Sequence, residues 1–191
     1  MFYDIILRKK ELIRMTDQQI FELASIFRNA IIEARNQGCF HGDLTFWHFP
    51  RGCCGDTCYL LASFLKEYGV ETIYVCGNRG RQSHAWLVVN DHRIKQPKPY
   101  LVEVEPHYRQ LIDFYGNDIA ETIDKTKYTA RDLTHGLVID ITADQFDEPA
   151  VYVGNRNEFY RRHTFNDAHI CNGVHEYRLN KLYREIAEFL P

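Results

Sequence analysis

The spacing of apolar residues along the chain predicts three helices. The first covers residues 17–37 and follows a capping-box pair, Thr16 and Gln19. Its apolar positions recur at helical spacing and are Ile20, Leu23, Ala24, Phe27 and Ile31. The second helix is predicted at about residues 54–68 and ends at Gly69, and the third closes the chain at about residues 174–190.

Four segments rich in β-branched and aromatic residues predict strands. Residues 70–76 and 83–90 are separated by Asn78-Arg79-Gly80, which has the composition of a turn and predicts an antiparallel pair. Residues 137–142 and 150–153 predict two further strands. Because helices come first and strands follow in a run, we expect an α+β fold with the second helix packed on an antiparallel sheet.

Length and composition favour one domain over the whole chain. A chain of 191 residues with 45% hydrophobic residues can bury a sizeable core. We expect the core of the domain at about residues 45–154, with the C-terminal helix added at about 174–190. Residues 95–131 contain Pro97, Pro99 and Pro106 and are predicted to form an insertion with a short strand and helix.

The charge balance and the N-terminal sequence limit the binding partners and the cellular compartment that we expect for this protein. The chain has 23 Lys and Arg against 26 Asp and Glu, so no global field favours nucleic acid or an anionic membrane. The apolar run from Ile5 to Leu7 is too short for a signal-peptide core or a membrane span. We therefore expect a cytoplasmic protein whose six cysteines are thiols.

Cys54 is the strongest candidate for a nucleophile. It is predicted to begin the second helix, where free backbone N–H groups and the helix dipole favour a thiolate. Cys53 would lie just outside the helix, and Cys58 one turn inside it and in the core. A zinc site of Cys54, Cys58 and a histidine is conceivable, but the sequence has no second Cys-x-x-Cys or His-x-x-x-His pair to complete it. We predict no metal and no cofactor.

A histidine and an aspartate on predicted strands complete the candidate chemistry. His84 shares one strand face with Trp86 and Val88, while the other face carries Ala85, Leu87 and Val89. Asp140 is a charged residue inside an apolar strand, where it needs a partner such as an imidazole N–H. A purely structural Asp140, bonded to backbone amides, is the alternative, and Asp144 is a second choice for the carboxylate.

Four motifs in one order make this chain resemble the transglutaminase-like superfamily. They are Gly52-Cys53-Cys54-Gly55-Asp56-Thr57-Cys58, Gly69-Val70 with the strand after it, His84-Ala85-Trp86, and Asp140-Ile141-Thr142. Members of that superfamily are similar in fold to papain and use Cys, His and Asp for acyl transfer. The resemblance covers about residues 52–142 and implies Cys54, His84 and Asp140 as the catalytic triad.

The resemblance also indicates where this chain departs from the family. The side chain six residues before the cysteine is His48 rather than the papain-like Gln, and no Trp precedes the Asp140 strand. The Cys54 backbone N–H is expected to bind the oxyanion, with His48 or Trp47 as the second donor. Gly55 and Trp86 are the remaining candidates for the oxyanion site and cleft.

These features predict a cysteine-dependent hydrolase that acts on amide bonds of a protein or peptide, as a protease or a glutamine deamidase. A transglutaminase or other acyltransferase uses the same machinery with a different acyl acceptor. A binding module that keeps the fold without turnover is the alternative outside the enzymes.

Overall fold

The computed structural model describes residues 15–96 and 128–191 and begins with helix α1, Asp17–Asn36. Thr16 and Gln19 cap this helix reciprocally through side chain and backbone, so the predicted capping box is confirmed. A short helix α2, Leu44–Trp47, follows and is capped by Asp43. Helix α3, Cys54–Glu67, follows and has Cys54 as its first residue. Its bounds are close to the predicted ones.

Five strands form one sheet in which every neighbouring pair is antiparallel. They are β1 Thr72–Arg79, β2 Gln82–Val89, β3 Leu137–Asp140, β4 Tyr152–Asn155 and β5 Thr164–Cys171. Their order across the sheet is β4-β3-β2-β1-β5. The predicted α+β class with an antiparallel sheet is therefore confirmed.

The hairpin between β1 and β2 turns later than the sequence predicts. Asn78 and Arg79 continue the strand and pair with Ser83 and Gln82, so of the predicted turn residues only Gly80 lies in the turn. The turn consists of Gly80 and Arg81, and Gly80 adopts a φ of 62°, which a glycine accepts without steric cost. The longer strand keeps His84 within the paired part of the hairpin.

Strand β5 and the short helix α4, Glu158–Arg161, have no counterpart among the predicted elements. The burial of β5 alternates only weakly, because Asn166, Asp167 and His169 interrupt its apolar positions. Pairing with β1 orders this segment, which is a tertiary effect that local composition does not report. The predicted C-terminal helix is shorter than expected and forms α5, Tyr177–Ala187.

The two faces of the sheet bury two separate cores. Helices α1, α3 and α5 cover the face that carries Ala85, Leu87 and Val89. The opposite face is covered by a second cluster, with Phe159 and Tyr160 of α4 among its members. His84 and Trp86 lie on this second face, because successive side chains of a strand point to opposite sides. The cysteine helix therefore packs on the face opposite His84.

The predicted insertion at residues 95–131 falls largely outside the described residues, as does the N-terminal run from Ile5 to Leu7. The single-domain boundaries and the cytoplasmic location stay predictions. In the described parts of the chain, every helix is too short or too polar to cross a membrane.

Candidate active site

Cys54 occupies the first residue of α3 and is partly exposed. Its neighbour Cys53 is 1% exposed, and burial raises the pKa of that thiol to about 12. Burial also raises the pKa of Cys58 well above its ordinary value. Cys53 and Cys58 are therefore neutral thiols buried in the core. Of these three cysteines, Cys54 is the one that a substrate can reach.

His84 is hydrogen-bonded to Asp140 through one of its two ring nitrogens. Its Nε2 atom lies 2.6 Å from Oδ2 of Asp140, and we assign the proton of this hydrogen bond to the imidazole. Nδ1 is buried and, within the described residues, has no partner that meets hydrogen-bond geometry. The Cys54 thiol nevertheless lies close enough to favour the protonated ring. Nδ1 is therefore the nitrogen left for the sulfur.

The electrostatics of His84 follow from these two neighbours. Burial alone would lower the pKa of the imidazole, since desolvation disfavours the charged ring. Hydrogen bonds and charge interactions with Asp140 and Cys54 outweigh that effect and raise the pKa to about 9. The ring is thus an imidazolium at neutral pH and can deliver a proton from Nδ1.

Asp140 accepts hydrogen bonds from three residues. Besides His84, the Tyr160 hydroxyl donates to Oδ2 over 3.1 Å. The backbone N–H and the hydroxyl of Thr142 donate to Oδ1 over 2.8 and 3.1 Å. These donors compensate the burial of the carboxylate and fix its orientation toward His84. Asp140 consequently has the imidazole partner that the sequence predicts and backbone support as well.

Sequence reasoning did not identify Tyr160. This residue belongs to α4, a helix of four residues with little apolar periodicity, and it reaches Asp140 only through the tertiary fold. Its single sequence signal is the aromatic pair Phe159-Tyr160 after a helix-capping Asn157. The side chain is 1% exposed, so its hydroxyl needs the hydrogen bond it makes.

Strand β3 pairs with only part of its neighbour β2. β3 pairs with β2 at Leu87 and Val88 and ends at Asp140. The β2 edge is therefore not paired with β3 at His84.

Aromatic side chains enclose the imidazole on its remaining sides. The rings of Phe146, Phe159 and His163 lie 4.9, 5.7 and 5.9 Å from the His84 ring. His163 donates from Nδ1 to the Phe159 carbonyl, and burial lowers its pKa, so it stays neutral beside His84. The enclosure keeps bulk water from the His84–Asp140 hydrogen bond and strengthens it.

The predicted cleft residues lie in different surroundings. Gly55 is next to Cys54 in the first turn of α3, whereas Trp86 is 3% exposed and packs beside His84 in the second core. Trp86 therefore packs against the imidazole inside the core and does not line an exposed surface. Trp47 packs against His41 with ring centroids 4.9 Å apart, and His48 is exposed at the end of α2. No hydrogen bond links either to Cys54 or His84 in the described segments.

Arg28 of α1 holds the chain segment that follows Asp140. Its guanidinium donates to the Ile141 carbonyl and, over 2.7 Å, to Oδ2 of Asp144. Asp144 is thus committed to an ion pair with Arg28, and Asp140 is the carboxylate at His84. Gln145 reaches from the same segment toward the backbone N–H of Gly52 over 3.5 Å, on the loop that leads to Cys54. Helix α1 and this segment together fix the distance between the loop and β3.

Arg178 of α5 bridges two acidic residues near the start of α3. It donates over 2.7 Å to Oδ2 of Asp43 and over 2.7 Å to Oδ2 of Asp56. Asp56 lies in the first turn of α3, where its negative charge opposes a thiolate at Cys54. The guanidinium offsets that charge and ties the C-terminal helix to the loop before the cysteine.

The described part of the chain holds no group of three or more His, Cys, Asp or Glu side chains arranged for a metal ion. The six cysteines are all free thiols. Comparison of the whole chain with protein-family models, with curated proteins and with solved structures finds no match.

Proposed function

We propose that this protein is a cysteine-dependent hydrolase of amide bonds in protein or peptide substrates, with the transglutaminase-like and papain-like arrangement of Cys54, His84 and Asp140. The observation that supports it most is the buried 2.6 Å hydrogen bond from His84 to Asp140, on an imidazole whose other nitrogen is left for Cys54. A carboxylate, an imidazole and an accessible thiol in this order are the parts that acyl transfer requires.

The first half-reaction forms a thioester. The Cys54 thiolate attacks the amide carbonyl carbon, and the carbonyl oxygen becomes an oxyanion at the backbone N–H of Cys54. The C–N bond then breaks, and the leaving amine takes the proton from Nδ1 of His84. His84 is left neutral and still bound to Asp140 through Nε2.

The second half-reaction restores the enzyme. Nδ1 accepts a proton from water as the water oxygen attacks the thioester carbon, and the C–S bond breaks. The products are a carboxylic acid and the Cys54 thiolate beside an imidazolium. Asp140 keeps its charge throughout and stabilises the imidazolium in both halves of the cycle.

An activated ester tests this proposal without knowledge of the natural substrate. Incubation with p-nitrophenyl acetate is expected to release a burst of p-nitrophenol and to leave one acetyl group on the peptide that contains Cys54, identified by mass spectrometry. Cys54→Ala should fold normally and show neither signal. Cys53→Ala is the matched control, because it removes the adjacent buried thiol and should keep both signals.

A wild-type chain that is never acetylated at Cys54 would contradict the proposal, as would an equal burst from Cys54→Ala. With peptide or protein substrates, mass spectrometry then separates the reactions that share this machinery. Hydrolysis of the chain, conversion of Gln to Glu and cross-linking to an added amine each leave a different mass. Transfer to the amine in preference to water would favour the acyltransferase alternative.

A further inference from the structure

Three rings form a stack beside the cysteine helix. Tyr74 of β1 packs against Tyr59 of α3, with centroids 5.2 Å apart and planes at 17°. It also packs against His169 of β5, at 5.0 Å and 23°. Tyr59 and His169 are themselves joined by a 3.2 Å hydrogen bond, and Asp167 holds the other imidazole nitrogen at 3.0 Å. The ring of Tyr74 is thus oriented by neighbours on two elements.

The hydroxyl of Tyr74 reaches the first turn of α3. A Cβ placed on Gly55 would lie 3.4 Å from this hydroxyl oxygen. Gly55 and Tyr59 are four residues apart and share one face of the helix, so the Tyr74 ring follows that face toward the helix N-terminus. Its hydroxyl arrives beside the residue that follows the nucleophile, and the missing side chain of Gly55 leaves the approach clear.

Backbone donors at this helix end are open to a ligand. The N-cap residue, Cys53, makes no side-chain hydrogen bond to the first turn. The Cys54 N–H is one candidate donor for an oxyanion, and a side chain nearby can supply a second. His48 is exposed and Trp47 is packed on His41, and in the described segments neither is hydrogen-bonded to Cys54.

The Tyr74 hydroxyl is protonated, as a hydrogen-bond donor to an oxyanion must be. Burial raises its pKa well above the ordinary tyrosine value, so the hydroxyl keeps its proton wherever the enzyme would work. The thiol of Cys76 faces the same side of β1, and the neighbouring Tyr74 partly offsets the rise in its pKa that burial causes. A thiol is a weak acceptor, and an oxyanion forms a much stronger, charge-assisted bond.

We propose that the Tyr74 hydroxyl donates the second hydrogen bond to the oxyanion formed during attack by Cys54. This inference rests on the proposed hydrolase function and makes Tyr74 a further catalytic residue. The position next to Gly55 and the stack that orients the ring support it.

Two reactions of the same thiol test the proposal with Tyr74→Phe, which keeps the ring and its stacking. Acylation by p-nitrophenyl acetate passes through an oxyanion, and its rate should fall about ten- to a hundredfold. Alkylation by iodoacetamide displaces iodide at a saturated carbon and forms no oxyanion, so its rate at Cys54 should stay within about twofold of wild type.

Tyr59→Phe is the matched control, since it removes a hydroxyl from the same stack that is bound to His169. Both of its rates should match those of the wild type. Unchanged acylation in Tyr74→Phe would overturn the inference, and so would an equal fall in acylation and alkylation, which would indicate an effect on the thiol itself. A wild-type chain that alkylates at Cys54 but never acylates there would overturn the proposed function instead.

Discussion

Nε2 of His84 lies 2.6 Å from Oδ2 of Asp140, and both residues are almost completely buried, at 1% and 2% exposure. A buried carboxylate and imidazole at this distance form an ion pair once the ring is protonated, in surroundings that screen it little. The hydrogen bond leaves Nδ1 as the free nitrogen of the ring, and Asp140 raises the pKa of the imidazole. Substitutions that disturb this hydrogen bond should therefore change both the acylation rate at Cys54 and the free energy of unfolding.

Asp140→Asn tests the contribution of the carboxylate charge at nearly constant shape. An amide cannot stabilise an imidazolium as a carboxylate does, and its NH₂ group can turn toward His84 and reverse the tautomer. The acylation rate at Cys54 should fall by about a hundred- to ten-thousandfold at neutral pH. Steady-state and burst kinetics measure the loss, and circular dichroism establishes that the variant is folded. An active Asp140→Asn protein would remove Asp140 from the mechanism.

The free energy of unfolding should decrease as the pH rises toward 9. The pKa of His84 is about 9 in the folded chain and 6.5 as the ordinary value, so the folded state binds the proton more tightly. The stabilisation is fully present below pH 6.5 and is lost as the pH passes through about 9. Urea unfolding at pH 6.5 and 9, compared between wild type and Asp140→Asn, measures it.

The comparison with Asp140→Asn separates His84 from other titrating groups. The buried thiols of Cys53 and Cys171, whose pKa values burial raises to about 12, also reduce stability at high pH, and they are common to both proteins. A difference between the two proteins that stays constant across this pH range would show that Asp140 does not hold the proton on His84.

Tyr160→Phe removes the second side-chain donor to Oδ2 of Asp140 and leaves the ring in the core. We expect a loss of about 1 kcal/mol in unfolding free energy and a fall in acylation rate of about tenfold or less, smaller than for Asp140→Asn. Tyr152→Phe is the control, because its hydroxyl donates to the Asn155 carbonyl away from His84. Equal effects of the two substitutions would mean that the Tyr160 hydroxyl does not position Asp140.

Arg178→Ala removes the cation that offsets Asp56 in the first turn of α3. The uncompensated carboxylate disfavours the thiolate, so iodoacetamide should alkylate Cys54 about two- to fivefold more slowly at low ionic strength. Added salt should reduce the difference, since the site is partly exposed. Lys181→Ala on the same helix removes a cation paired with Glu185 and should leave the alkylation rate unchanged. An Arg178→Ala protein alkylated at the wild-type rate would limit Arg178 to a structural role.

The local pattern was sufficient where a residue's own neighbours decide its structure. Thr16 and Gln19 cap α1 as predicted, and the apolar periodicity places α3 with Cys54 as its first residue. Strand alternation put His84 and Trp86 on one face, and the cost of burying a charge demanded a partner for Asp140. These inferences need only spacing, capping and solvation, all of which operate within a few residues.

Contacts between segments distant in sequence determined the remaining features of the fold and of the candidate site. The sequence could not say that α3 covers the face of Ala85 and Leu87, that β3 stops short of His84, or that Tyr160 donates to Asp140. It also gave no indication that the Tyr74 hydroxyl of β1 lies beside Gly55. Sequence spacing fixes which side chains share an element, but the register and packing between elements determine which of them meet.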